Sequence, residues 1–314
     1  MSASLVKRLF ASLLTALLAS LLVFLLMRSV PGDVVSQMMG QAGGDTAENA
    51  LRQFFGLDQP VYMQYFNWLL QVLQGDLGTS WTRGVPVTEM VGKAFLVTLE
   101  IGVITLLVAT LVGVPLGIIA AINEGKPLDT LIQSFNILGL SAPVFWTGLM
   151  LLVGVSSVLS WSPPLRFVPP SQWLSTNLEI LVLPILSLGL LQAAAYSQFV
   201  RQNVVSAMHQ EYVRTAIAKG VPVRLVFFKH ILRNVLIPIV TFMGLILIQI
   251  LGGVVIIESL FALPGLGRLL LSAIETRDYP VVQGALLIVV ATAMVVNLAV
   301  DLTYRMIDPR VRES

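Results

Sequence analysis

The sequence predicts an all-α membrane protein: six transmembrane helices, with an extracytoplasmic (periplasmic) cap after the first span and a short cytoplasmic helix between the fourth and fifth spans. Three observations carry this. Of the 314 residues, 56% are hydrophobic and 11% charged, with a mean hydropathy of +0.86; a soluble domain carries about 25% charged residues. The apolar residues fall in runs long enough to cross a bilayer, which takes about 20 residues of helix. The basic residues gather between those runs.

The first run, residues 9–27, has no charge and follows Lys7 and Arg8. It is long for a signal peptide and no small-x-small cleavage site follows it, so it reads as a retained span. Further runs lie at 95–122, 131–159, 178–200, 235–257 and 281–304. Six crossings leave both termini on one side. With the N-terminus inside, the inner segments hold twelve of the 19 Lys and Arg residues, and the positive-inside rule then puts both termini in the cytoplasm. The chain divides into a tail and first span (1–30), a cap (31–94) and a five-helix core (95–314) with an inner loop at 201–236.

The cap mixes turn residues (Pro31, Gly32, Gly43, Gly44, Gly75, Gly78) with two helical patterns, 47–55 and 62–73. A segment of this length that is not low-complexity predicts a small packed unit. A second outer loop, 161–177, is rich in Pro and Trp, as interfacial segments are. The third outer loop holds LPGLG at 263–267, where Pro264 can open a short helix ending near Asp278.

Enzyme chemistry finds no support. There is no cysteine, and the only two histidines, His209 and His230, sit in the basic inner loop. No H-E-x-x-H, G-x-S-x-G or phosphate-binding G-x-x-x-x-G-K-[ST] pattern occurs. The expectation is no catalytic residue, no metal ligand and no nucleotide bound by this chain itself. A net charge of +2 confined to loops gives no basis for nucleic-acid binding. The span acids Glu100, Glu179, Glu258 and Asp301 lie near span ends, where they are expected to reach water or headgroups. A proton-driven carrier needs ionisable groups at mid-depth. Uncharged polar residues are more frequent: Gln133, Ser134, Asn136, Ser141, Gln192, Gln198, Gln249 and Asn297. Taken singly they read as helix–helix hydrogen bonds. As a set they can line a polar, uncharged route, with Asn136, Ser141, Gln192 and Gln249 the candidates. Gly113 and Gly117 around Pro115, and Gly252 with Gly253, predict close helix packing.

Residues 210–238 are the most basic run in the chain, holding both ends of a helical hairpin. A helix over 211–219 has Glu211 in its first turn and Lys219 in its last, matching the helix dipole. Gly220 and Pro222 stop it, and a second helix runs from Val223 into the fifth span. Tyr212 and Ala216, four apart, form one small apolar face.

Here the chain becomes recognisable. RTAIAKG (214–220), followed by Ile237 and Pro238, resembles the EAA-type loop of inner-membrane permeases of ATP-binding-cassette importers. The whole chain resembles the first permease of the dipeptide/oligopeptide/nickel branch, through VPGD (30–33), FGLDQPVYMQY (55–65), GDLGTS (75–80), PVTEMV (86–91), TLEIG (98–102), EYVRTAIAKG (211–220), HILRN (230–234), FALPGLGRLL (261–270), RDYPVVQG (277–284) and NLAVDLTY with DPR near the C-terminus. One departure from the general EAA pattern is that Arg214 stands at its glutamate position, with Glu211 three residues earlier.

The resemblance implies a bacterial inner-membrane importer. A second homologous permease chain completes the pore, two ATPase subunits bind ATP and Mg on the cytoplasmic face, and an extracytoplasmic substrate-binding protein delivers di- or oligopeptides. Coupling to the ATPases is expected at Glu211, Tyr212, Arg214, Thr215, Ala216, Lys219 and Gly220, and binding-protein docking at Pro264, Gly265, Leu266 and Gly267. Nickel–chelate, glutathione or another small solute is the alternative cargo. A self-sufficient carrier or channel is the rival class.

Overall fold

The computed structural model describes residues 2–29, 35, 39, 45–164 and 166–307. The VPGD stretch, most of the first part of the segment expected to form a cap, and the C-terminal DPR lie outside them. Among the described residues the chain is all-helical, with no strand and one isolated bridge between Thr79 and Pro86. In chain order the helices are α1 (Ser2–Ser29), α2 (Asp45–Phe54), α3 (Val61–Leu73), α4 (Val87–Ile122), α5 (Pro127–Ser141), α6 (Val144–Leu159), α7 (Leu174–Met208), α8 (Glu211–Ala218), α9 (Val223–Leu225), α10 (Leu232–Leu260), α11 (Leu266–Glu275) and α12 (Tyr279–Ile307). A π-helical turn, Val226–Ile231, joins α9 to α10.

Among the described residues, four helical stretches are long and apolar enough to cross a membrane: Val87–Ile122, Leu174–Met208, Val223–Leu260 and Tyr279–Val300. A fifth crossing is counted if α5 and α6 are one broken span, since they meet at a bend of 102°. The apolar stretch assigned to α1, Leu13–Ser29, is shorter. The run 131–159, read from hydropathy as one straight crossing, is therefore divided. Proline lacks an N–H and pushes the residue before it out of the α region. Ala142, just before Pro143, has ψ 127° and Pro143 itself ψ 139°, so the helix ends and restarts on a new axis.

The chain falls into two compact units. The first comprises Met1–Leu96 and Gly265–Met294; the second comprises Val97–Pro264 and Val295–Ser314. In the first, Met27, Leu77, Val87, Val91, Leu266 and Val282 share one buried core. In the second, a larger core takes in Ile101, Leu181, Leu188, Tyr196, Val235, Ile250 and Ile257. Its axis is α7, which packs on α5, α6 and α10.

The glycines show how closely these helices lie. A Cβ on Gly113 would stand 2.6 Å from the Ala193 carbonyl oxygen, and one on Gly117 would stand 2.5 Å from that of Ser197. The predicted small-residue face around Pro115 is thus the seam between α4 and α7. Gly252 and Gly253 play no such part: a Cβ on Gly252 meets nothing within 4 Å, and one on Gly253 only Leu188 at 3.9 Å. The corresponding close approaches are Gly148 against Leu260 and Gly244 against Val300.

Candidate functional site

The exposed hairpin begins where α7 ends at Met208. Of the inner loop expected at 201–236, residues 201–208 are the last two turns of α7. Gln210, in extended conformation, turns the chain into α8. Val213 is buried and Ala216 half-buried against the core that includes Val204, Val226 and Ile231. Ala216 therefore belongs to the seating of α8. Tyr212 and Ile217, 38% and 49% exposed, are the large apolar side chains left facing outward. Glu211, Arg214, Thr215 and Lys219 are exposed as well. Arg214 Nη1 donates to Glu211 Oε1 at 3.2 Å, with both side chains well exposed. Such a pair adds only a few tenths of a kcal/mol, so the charges stay available to a partner. Thr215 Oγ1 donates back to the Glu211 carbonyl at 2.9 Å.

The C-terminus of α8 is closed by backbone alone. Gly220 N–H donates to the Ile217 carbonyl (2.9 Å) and Val221 N–H to the Ala216 carbonyl (3.2 Å), the Schellman pattern. It needs a left-handed residue, and Gly220 has φ +79°. Pro222 then launches α9. Val226 and Ile231 are both buried, yet on an α-helix residues five apart stand about 140° apart. The π turn, bonding i to i+5, brings them onto one face. Arg224, Lys229 and Arg233 are exposed along the same segment.

An ion pair that sequence reading did not anticipate lies near this hairpin. Arg201 Nε and Nη2 donate to Asp129 Oδ1 and Oδ2, both at 2.6 Å. Asp129 Oδ2 also accepts the Gly125 N–H at 3.1 Å. The side chains are 22% and 6% exposed respectively. The pair ties the start of α5 to the last two turns of α7, eight residues before the linker to α8 begins at His209. Pro127 at the first helical position and an acid in the first turn mark Asp129 as a helix-start residue. Nothing local points to Arg201.

The four polar candidates for a lining do not share one surface. Asn136 is buried, and its Nδ2 donates to Ser197 Oγ at 3.0 Å, cross-linking α5 to α7. Gln192 is buried in α7. Ser141 is exposed but donates to its own helix at the Ile137 carbonyl, 2.7 Å away, and Gln249 is exposed on α10. Glu258 does not reach water: it is fully buried and accepts from Thr98 Oγ1 at 2.5 Å.

The LPGLG stretch acts in packing, with Leu263 in the core of the second unit and Leu266 in that of the first. Leu266 is 3% exposed and belongs to the core, and Gly265 and Gly267 are buried too; Pro264 alone of the four expected docking residues is exposed. The outward face of α11 is instead Arg268, Leu271, Ile274 and Glu275. Asp278, buried just after α11, organises the loop before α4. Its carboxylate accepts from Ser80 Oγ (2.5 Å), Thr82 Oγ1 (2.7 Å), Trp81 N–H (3.1 Å) and Thr82 N–H (3.3 Å).

Comparison with known proteins decides the family. Residues 113–313 match the family model of the binding-protein-dependent transport system inner membrane component, and residues 1–101 that of its N-terminal region. The chain belongs to this permease family. Among its relatives, a glutathione transport system permease of Salmonella typhimurium is 37% identical, covering 98% of both chains. The dipeptide transport system permease of Escherichia coli is 35% identical over 93% of each. A probable peptide permease of Sinorhizobium fredii is 32% identical over 99% of this chain and all of that one. The permease also shares its fold with a chain of the inward-facing MetNI methionine ABC transporter, at TM-score 0.55 and 14% identity, covering 70% of this chain and 96% of that one.

What the hairpin presents outward is Tyr212, Ile217 and the charged side chains of Glu211, Arg214 and Lys219. His209 is engaged with the Val205 carbonyl at 2.9 Å. Among the described residues no cluster of three or more His, Cys, Asp or Glu could hold a metal ion.

Proposed function

We infer that this chain is the membrane permease subunit of an ATP-driven importer and forms half of a translocation pore for di- or oligopeptides delivered by a substrate-binding protein. Its similarity over nearly the full length to permeases of peptide transport systems carries the reading. A second, homologous permease chain supplies the other half of the pore. Two separate ATPase subunits bind ATP and Mg, so this chain is not an enzyme and holds no cofactor. Both termini lie in the cytoplasm in a six-span topology, with α1 as the first crossing, α5–α6 as the third, and residues 31–94 as a periplasmic cap.

In this reading α8 docks in an ATPase cleft through Tyr212, Arg214, Thr215, Ile217 and Lys219. Force then passes through α9 and the π turn into α10. The hairpin supports this because α8 is exposed outward, seated by Val213 and followed, after the turn at Gly220–Pro222, by one continuous helical stretch from Val223 to Leu260. The cap and the outward face of α11 receive the binding protein.

The test is uptake of labelled Ala-Phe into vesicles holding the complete importer. Uptake is expected only with ATP and the binding protein together. Equal uptake without ATP would leave a self-sufficient carrier as the better reading. Glutathione is the second cargo, favoured by the relative at 37% identity. Competition settles the order: excess glutathione is expected to slow Ala-Phe uptake less than excess Ala-Ala does. For coupling, Gly220→Val is expected to leave permease levels in the membrane unchanged while ATP hydrolysis no longer drives uptake. Wild-type transport by that variant would sink the coupling role of α8.

A further inference from the structure

The first unit contains a cavity of about 740 Å³, within the 300–1,000 Å³ range of small-molecule sites. Its walls are aromatic. Phe55 stacks on Trp81 with centroids 4.5 Å apart, Trp81 meets Tyr279 at 5.3 Å, and Phe24 lies 6.2 Å from Trp68. Arg28 is the one cation among the described lining residues. Its guanidinium carbon stands 5.0 Å from the Phe24 ring centroid and 5.9 Å from that of Tyr279. Two π faces thus hold the charge at the wall.

Three polar atoms of the lining are buried with no hydrogen-bond partner among the described residues: Arg28 Nε, Trp68 Nε1 and Gln64 Oε1. Trp68 is itself 9% exposed. Buried polar atoms are seldom left unpaired, and those that are need an occupant, water or ligand. The one carboxylate among the described lining residues, Asp76, already accepts the Gly78 N–H at 2.8 Å. Two donors, one of them cationic, an amide acceptor and aromatic walls suit a ligand with a carboxylate, an N–H and an apolar side chain.

We propose that this cavity is a binding site for the free C-terminal carboxylate end of a short peptide. Arg28 takes the carboxylate, Trp68 Nε1 donates to a peptide oxygen, Gln64 Oε1 accepts a peptide N–H, and an apolar side chain packs against Phe55 and Trp81. That the ligand is a peptide rests on the proposed function; selection of a carboxylate rests on Arg28 alone.

The test uses the full-length permease in lipid nanodiscs without the binding protein. Ala-Phe and its C-terminal amide are titrated by calorimetry, and Ala-Phe uptake by the complete importer is measured in parallel. Ala-Phe is expected to bind at least about tenfold more tightly than the amide, the scale of one hydrogen-bonded charge. Arg28→Gln is expected to abolish that preference, with Arg28→Lys keeping part of it. Trp68→Phe, which keeps a ring but loses the donor, is expected to weaken both ligands alike. If Arg28→Gln fails to fold, the acid-to-amide ratio of the wild type still decides. No saturable binding, equal binding of acid and amide, or an unchanged preference in Arg28→Gln would overturn the site. Uptake that proceeds without such binding leaves the proposed function standing and removes the site. Acid-selective binding without ATP-driven uptake does the reverse.

Discussion

Asp129 and Arg201 stand 72 residues apart in sequence and share two hydrogen bonds of 2.6 Å. Removing one partner of such a pair strands the other; for buried pairs the cost is about 3–5 kcal/mol. With Arg201 22% exposed, Asp129→Asn is expected to fall at the lower end of that range, seen as a lowered melting temperature in detergent. The double variant Asp129→Leu with Arg201→Met is expected to recover most of the loss, because matched apolar replacements avoid an unpaired charge. Gly220 is a second residue-scale case. A Cβ there meets nothing within 4 Å, so Gly220→Ala costs backbone strain only, about 1–2 kcal/mol for a left-handed non-glycine residue. Faster amide hydrogen exchange confined to the last turn of α8 would report it. The two residues differ in legibility. Gly220 is read from its neighbours, because a helix stop is local chemistry. Asp129 looks like an ordinary helix-start acid until the fold brings Arg201 to it.

At the scale of elements, the α4–α7 seam has no room to spare. Gly117→Val is expected to cost more than the 1–3 kcal/mol typical of overpacking, since the obstacle is the Ser197 carbonyl in the backbone. Gly252→Ala is the matched control, expected to leave the detergent melting temperature unchanged or slightly raised. Sequence spacing alone marks both glycine pairs as packing faces and cannot tell which has a neighbouring helix. The division of α5 from α6 shows the opposite imbalance. Pro143 is plain in the sequence, but the apolar run around it is long enough to outweigh one residue in a hydropathy reading. LPGLG is a third case. Its turn and the helix after it follow from Pro264, while the burial of Leu266 follows from packing that only the fold reveals.

At the scale of the whole molecule, the first unit is assembled from two distant parts of the chain, Met1–Leu96 and Gly265–Met294. Asp278 is the polar joint between them, with four hydrogen bonds to Ser80, Trp81 and Thr82. Asp278→Ala is expected to release the loop around Arg83, which is exposed. Trypsin cleavage after Arg83 should rise about tenfold, the effect of losing one net charge-assisted hydrogen bond's worth of protection. An unchanged cleavage rate would show that apolar packing alone holds the loop.

That joint also sets a timetable. Ser80 and Asp278 are separated by 198 positions, and a ribosome adding roughly 5–20 residues per second takes about 10–40 s to cover them. For that interval the loop before α4 has been made but its carboxylate acceptor has not. The first unit is therefore among the last parts of the chain to mature, although most of it is encoded near the start. A ribosome stalled between α10 and α11 would leave a nascent chain with helices α4 to α10 synthesised and the Ser80–Thr82 loop without its carboxylate.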